Sequence, residues 1–424
     1  MPERDAVLHA ARDGKIEVVR ESLDADPSLM AARDENGGGP LHMAAMRGHA
    51  DIAALLLERG VERDAGNDWG WTPIVYAAYN GRADVARVLI EADVDVTSSG
   101  GNPIHYAAQG KHVDICRMLV EAGAVDATVD AGDPDVLATF RAAYAYDADA
   151  LAALLAADPK LATTRDKDGR TPMHEASTGG AIDVIRAFID AGADVTATDD
   201  DGETPLDRAA AHGHGDVVRL LVDAGAAADI FVAVKFSMLP EARAALEADP
   251  SQANAEFHGH AIVEHAAEAG LVEMGALLAE FGADIDIHAA ASFGMAERVA
   301  EGLDGDATLV NATRPMGDYA PLHAAAECGH VDVVRLLLER GADVNQRNAW
   351  GFRPLHLSVL AARGFAPTEA HLEITRALIT QGAEVAVVDD YDRSALTLAE
   401  GHWEKGPIEE ALIALLREQG ATTV

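Results

Sequence analysis

The sequence predicts an all-α solenoid of about 12–13 stacked helix-turn-helix units with projecting loops, running through residues 1–424. Three observations predict it. A short phrase built on Thr-Pro-Leu-His recurs along the chain. The prolines of neighbouring copies, Pro40 and Pro73, Pro172 and Pro205, Pro321 and Pro354, each stand 33 residues apart. Downstream of the phrase comes Gly-His, an aliphatic run and a Gly-Ala-Asp-Val stop, most cleanly from Gly329 through Leu338 to Gly341.

Each part of the unit has a physical reason. The phrase reads Gly39-Pro-Leu-His-Met-Ala-Ala45, Thr171-Pro-Met-His-Glu-Ala176, Ala320-Pro-Leu-His-Ala-Ala-Ala326 and Arg353-Pro-Leu-His-Leu-Ser358, with drifted copies at Thr72–Ala78, Asn102–Ala108 and Thr204–Ala210. Thr can cap a helix, and Pro suits its first turn because the missing N–H would be unpaired there anyway. Paired Ala lets first helices pack closely, and the Gly after each second helix takes the left-handed conformation that ends it. Aromatics are only 5% of the chain, so small side chains supply much of the apolar content. One unit cannot bury its own apolar face, so stacking is obligatory. The aliphatic helix over Val331–Leu338 is expected to bury Leu336.

These signals, recurring in phase, resemble the ankyrin repeat. The resemblance covers nearly the whole chain, unevenly. It implies a capping unit over 1–35, regular repeats over 36–131, a drifted repeat over 132–168, regular repeats over 169–229 and drifted repeats over 230–317. Regular repeats resume over 318–391, with an insertion near 363–370 that Pro367 keeps non-helical, and 392–424 form a C-terminal cap. In three drifted units Asp26-Pro27, Asp158-Pro159 and Asp249-Pro250 stand where Gly-Ala-Asp is expected.

Charge narrows the function. With 71 acidic against 33 basic residues the formal charge is −38, a field that repels phosphate backbones, so nucleic acid and anionic membrane are not expected partners. Solubility of an Ala-rich stack accounts for this charge, and so does adaptation to high salt. Cys116 and Cys328 form no C-x-x-C pair, which argues against a disulfide framework or cysteine metal site and for a reducing compartment. The first residues lack the basic and apolar stretches of a signal peptide, and no apolar run approaches a membrane span; a cytoplasmic monomer is expected.

The resemblance implies a binding scaffold that recognises a protein partner through loop tips and a concave groove. Trp69, Trp71, Trp350 and Phe352 belong to the loop tips, and Arg47 and Tyr79, after the paired Ala, to the groove; Trp, Tyr and Arg dominate binding hot spots. Stacking between neighbouring loops would equally explain the tryptophans. His42, His105, His174, His323 and His356 fill the slot where the resemblance implies a turn-tying hydrogen bond, and His49, His214 and His330 follow Gly at the inter-helix turn. A second reading, an enzyme or small-molecule binder, rests on the irregular stretch 230–319. There His258, His260, Glu264 and His265 could supply acid–base groups, with Lys235, His288 and Asp318 nearby in sequence. Glu264 and His265, adjacent on one helix, diverge by about 100°, so neither metal nor cofactor is expected. No Gly-x-Ser-x-Gly elbow or Gly-x-x-x-x-Gly-Lys-Ser/Thr loop is present.

Overall fold

Proline sets the start of most first helices: Pro40, Pro73, Pro103, Pro134, Pro172, Pro205, Pro321 and Pro354 each open one. The computed structural model describes residues 2–97, 102–125, 129, 133–257, 259–315, 317–360, 367–401 and 406–421. Its chain divides into two units, Met1–Ala227 and Ala228–Val424. Among the described residues the first unit contains seven helix pairs, from Pro2–Arg12 with Ile16–Ala25 to Pro205–Ala211 with Gly215–Asp223. The second contains six, from Ile230–Lys235 with Leu239–Ala248 to Ala395–Glu400 with Pro407–Glu418. Among the described residues two small departures from all-α structure occur: a hairpin pairing Glu256–Phe257 with His260–Ala261, and an isolated bridge between Val388 and Ser394.

Within each unit the core is a row of small and aliphatic side chains. Ala44, Ala45, Ala77 and Ala78 are fully buried in the first unit, as are Ala325 and Ala326 in the second. The helix Val331–Glu339 buries Val333, Val334 and Leu337, whereas Leu336 is only partly covered. The buried residue is therefore Leu337, one position beyond the expected one. It lies four residues after Val333, which sets the register of the buried stripe.

Histidine ties its own turn, as the resemblance implied, and also links neighbouring units. The Gly39 N–H donates to His42 Nδ1 at 3.0 Å, and His42 Nε2–H donates to the Trp71 carbonyl of the next loop at 3.1 Å. His174, His323 and His356 repeat the arrangement with Glu203, Phe352 and Val387. His105 differs, placing Nε2 2.7 Å from the Tyr144 hydroxyl. The inter-helix histidines donate backwards, His49 to Arg12 O, His214 to Thr178 O and His330 to Ser292 O. In the drifted repeat Tyr146 takes over: its hydroxyl lies 2.8 Å from Gly179 O and 3.2 Å from Ala108 O.

Asp-Pro is a second way to finish a unit. After the helices ending at Ala25, Ala157 and Ala248 come 3-10 turns Pro27–Ala31, Pro159–Thr163 and Pro250–Asn254, each capped by the preceding Asp side chain. A fourth, Ala307–Asn311 capped by Asp306, lacks the proline and so escaped the sequence pattern. Of the expected insertion, residues 363–366 lie outside the described residues, and Thr368 caps a helix Glu369–Thr380 that takes in Glu369 and Ala370. Thr368 N–H donates to His371 Nδ1, which anchors that start.

Surface ion pairs link neighbouring repeats, among them Arg59–Asp24 at 2.6 Å, Arg340–Asp304 at 2.7 Å and Arg353–Glu384 at 2.6 Å. Exposed pairs contribute little each, so the uncompensated charge of −38 dominates the surface electrostatics. If self-repulsion limits stability, raising monovalent salt from low to molar lifts the melting temperature by screening it. A melting temperature flat across that range would assign the charge to solubility alone.

Candidate functional site

The two loop-tip motifs have the same local construction. Asn67 Oδ1 accepts from the Trp69 and Trp71 N–H groups at 3.0 and 2.8 Å, and Asn348 Oδ1 accepts from Trp350 and Phe352 at 3.0 and 2.9 Å. This side-chain turn aims the first aromatic outward and the second inward. Trp69 is 62% exposed and Trp350 42%. Trp71 instead sits among Tyr76, Tyr79 and Tyr106, with ring centroids 5.4, 5.6 and 4.8 Å away. Tyr79 keeps half its surface open, and Arg47 is exposed one repeat earlier. Phe352 lies under the Arg393 guanidinium at 5.5 Å. Trp350 also packs on the preceding loop, where a Cβ on Gly317 would come within 2.5 Å of its ring.

The irregular stretch separates its own candidates. His258 lies outside the described residues. His260 Nδ1 is 3.2 Å from Glu264 Oε2, a half-exposed pair. His265 makes a different bond, its Nε2–H donating to Phe257 O at 3.4 Å beside the stacked rings of Phe231 and Phe257, while its ring meets that of His260 edge-on at 6.0 Å. Adjacent helix positions thus point to different places, as the helical angle requires. Lys235 Nζ sits 5.8 Å from the Phe231 ring centroid, and neither it nor Asp318 lines the cleft described next.

That cleft, ≈ 860 Å³, lies within the second unit, in the size range of ligand pockets. His260, Glu264 and Glu268 line one side; Asp286, His288 and Arg314 form the middle; Tyr319, Glu327, Cys328, Trp350 and His371 close the other. Asp286 caps the helix Ile287–Ser292, accepts from the Ala289 N–H at 2.7 Å and pairs with Arg314 Nη2 at 3.1 Å. Burial would raise its carboxyl, but bonds from His288 and the Ala289 N–H, with the Arg314 charge, outweigh it and hold Asp286 well below the usual carboxylate range. His288 Nε2–H donates to Ala312 O at 2.9 Å. The Tyr319 hydroxyl donates to Glu327 Oε2 at 3.1 Å, and its ring meets Trp350 edge-on at 6.2 Å. Among the described residues no group of three His, Cys, Asp or Glu is placed to hold a metal ion.

Sequence reasoning missed Asp286, Arg314, Glu327, Cys328 and His371. A signal existed for two of them: Glu327 and Cys328 follow paired Ala, as Met46-Arg47 and Tyr79-Asn80 do. A second buried polar cluster, in the first unit, was also missed. Tyr144 is held well above the usual phenol range by burial and by the neighbouring Glu175. Glu175 Oε1 in turn lies 3.6 Å from Arg170 Nη1.

A family profile of ankyrin repeats in three copies matches residues 59–131, 139–232 and 287–389, and a second, of ankyrin repeats in many copies, matches 7–57. The chain belongs to the ankyrin repeat family, whose repeats are generally protein–protein interaction modules. It is similar to the 26S proteasome non-ATPase regulatory subunit 10 of Homo sapiens, 38% identical over 66 residues, 16% of this chain and 29% of that protein. Similarity to the serine/threonine-protein kinase VIK of Arabidopsis thaliana is 49% over 55 residues, 13% of each chain. An ankyrin repeat-containing protein of Schizosaccharomyces pombe is 51% identical over 51 residues, 12% of this chain and 24% of that one. The chain spans less than a third of the length of the curated relatives it matches. Among the described residues no helix is long and apolar enough to cross a membrane.

Proposed function

We propose that this protein is a cytoplasmic, monomeric scaffold that recognises a protein partner, not nucleic acid, through its loop tips and the groove faces of its first helices. The observation that carries this reading is the cleft. Its walls come from successive repeats, and it opens beside the exposed Trp350. Trp69 and Tyr79 offer a comparable aromatic patch in the first unit. Large rigid aromatics at partly open positions are the residues that carry binding energy. Pull-down from native lysate tests it: the wild type retains a protein partner, and Trp69→Ala with Trp350→Ala weakens that binding by about 2 kcal/mol or more while the fold survives. Full-strength binding by the double variant would move the interface elsewhere.

A small-molecule site in 230–319 is the second reading, favoured by the many cleft residues drawn from that stretch. Against it, most polar groups at the centre already have partners, Arg314 Nη2 in Asp286 and His288 in Ala312 O, which among the described residues leaves Arg314 Nε as the buried group without one. A metabolite screen by thermal shift separates the two.

A further inference from the structure

Three first helices of the first unit, Pro40–Arg47, Pro73–Tyr79 and Pro103–Gln109, contain no Asp or Glu, in a chain that holds 71 of them. They belong to consecutive repeats and are in contact. The first helices on either side differ: Pro2–Arg12 carries Asp5, and Pro134–Tyr144 carries Asp135.

The inter-helix turns beside these three helices add cations. Arg47 ends the first of them, Arg82 stands just before Ala83–Glu91, and Lys111 lies between Gln109 and Val113–Glu121. Arg47 and Lys111 are exposed, and the Arg82 Nε–H donates to Met46 O at 3.2 Å, beside Arg47. Among the described residues none of the three forms an ion pair, although Asp51, Asp84 and Asp114 stand in the first turns of the helices that follow. Asp13, one repeat earlier, is already paired with Arg12 and Lys15. This edge of the groove is therefore locally positive. The net charge of −38 does not cancel it at close range, because physiological salt screens charges beyond about 8 Å. Three cations match a short run of carboxylates rather than a duplex backbone, which carries one charge for every ~1.7 Å.

Alongside the cations runs a lane of aromatic rings. Tyr76 and Tyr106 hold equivalent positions in their repeats, and Tyr79 follows Tyr76 on the same helix face. The Tyr79 and Tyr106 rings meet at 6.0 Å, and Trp71 packs on both at 5.6 and 4.8 Å. Half of Tyr79 stays open to solvent. Grooves lined by such rings recognise polyproline II chains. That helix has three residues per turn and rises about 3.1 Å per residue, so side chains at i, i+3 and i+6 share one face about 9 Å apart. Packed α-helices lie about 8–10 Å apart, so each turn of such a chain meets one repeat.

We infer that the groove of the first unit binds an acidic peptide in the polyproline II conformation, with carboxylates at every third residue facing Arg47, Arg82 and Lys111 and the prolines between them lying on Tyr79 and Tyr106. This rests on the reading of the groove as a protein-binding surface and adds the partner's chemistry and conformation.

The test uses the full chain and four fluorescein-labelled ten-residue peptides made otherwise of Pro and Ala. Three carry Glu, Gln or Lys at every third position, and the fourth carries the same number of Glu side by side. Fluorescence polarisation at physiological ionic strength is expected to show the spaced-Glu peptide bound about tenfold or more tighter than the Gln peptide. The clustered-Glu peptide should bind several-fold more weakly than the spaced one, and the Lys peptide most weakly. Arg47→Gln with Lys111→Gln, both at exposed positions, is expected to abolish the preference for Glu over Gln, and Tyr79→Ala to weaken the spaced-Glu and Gln peptides alike by about tenfold. Trp350→Ala, in the other unit, is expected to change nothing. Thermal melting checks that each variant keeps the fold. Equal binding of the spaced-Glu and Gln peptides would overturn the charge complementarity, and equal binding of spaced and clustered Glu would overturn the polyproline II geometry. Binding of none of the four, or a preference for Glu that survives the double Gln variant, would overturn the inference outright. Should a lysate partner then still be lost on changing both tryptophans, the scaffold reading would stand without it.

Discussion

Leu337→Ala should lower the unfolding free energy by about 2–5 kcal/mol, because it empties a site with no solvent exposure. Leu337 packs in a cluster with Val333, Val334, Ile374 and Leu378. The helices Val331–Glu339 and Glu369–Thr380 are in contact, so the cavity opens toward the next repeat as well as its own. Stability in a stack is a sum of repeat and nearest-neighbour terms. The loss should therefore spread: amide exchange should quicken in Glu369–Thr380 as well as in the mutated helix. Leu336→Ala, at a partly covered position, is the control and should cost clearly less. Urea unfolding measures both, and equal losses would mean the helix is rotated from its described register.

Acidification from pH 6.5 to 5 should destabilise the protein, and histidine should be the cause. Burial lowers His42, His174, His214, His323, His330, His356 and His371 below the ordinary imidazole value, and pulls His323 down to about 4.

 
In His323 the Ala320 N–H donates to Nδ1 and Nε2–H donates to Phe352 O, so both ring nitrogens are engaged only while the ring is neutral. The unfolded chain therefore binds protons that the native chain refuses. The stabilisation is fully present above pH 6.5 and drains away as pH falls toward 4, where His323 alone accounts for about 3 kcal/mol. Relief of carboxylate repulsion acts the other way, but ordinary carboxylates titrate near 4, so the interval from pH 6.5 to 5 belongs to histidine. Urea midpoints at pH 7, 6 and 5 decide the matter; stability that rises steadily over that interval would show that surface charge, not the buried rings, governs the acid response.

The repeat was legible in the sequence because the same local devices recur in phase: Pro at a helix start, His three residues after the cap, paired Ala, then Gly. The register of one helix was not, since Leu336, Leu337 and Leu338 stand in a row and composition cannot choose among them. Only the packing of Val333 and Val334 singles out Leu337. At the cleft, the sequence pointed to His260, Glu264 and His288 because they lie in the irregular stretch that lacks the phrase. Arg314, Glu327 and His371 come from other repeats and meet them only through stacking. His371 was further hidden by the insertion, which sets it 44 residues from the Glu327 carbonyl it bonds. Spacing along a chain says little about which side chains share a groove when each repeat contributes one or two of them.

The two ways of ending a unit carry an evolutionary consequence. Where a unit closes on glycine, as at Gly192 or Gly341, the backbone sits at φ 78° or 88°, and nearly every replacement is strained. Where it closes on Asp26, Asp158, Asp249 or Asp306, φ lies between −141° and −146°, which any residue adopts, and the remaining demand is one side-chain oxygen. Asn, Ser or Thr can supply that oxygen too. Those units have exchanged a position that tolerates a single residue type for one that tolerates several, so random substitution is purged less strictly there. All four lie in the capping or drifted segments: sequence divergence has room to accumulate where the chain no longer depends on glycine to turn.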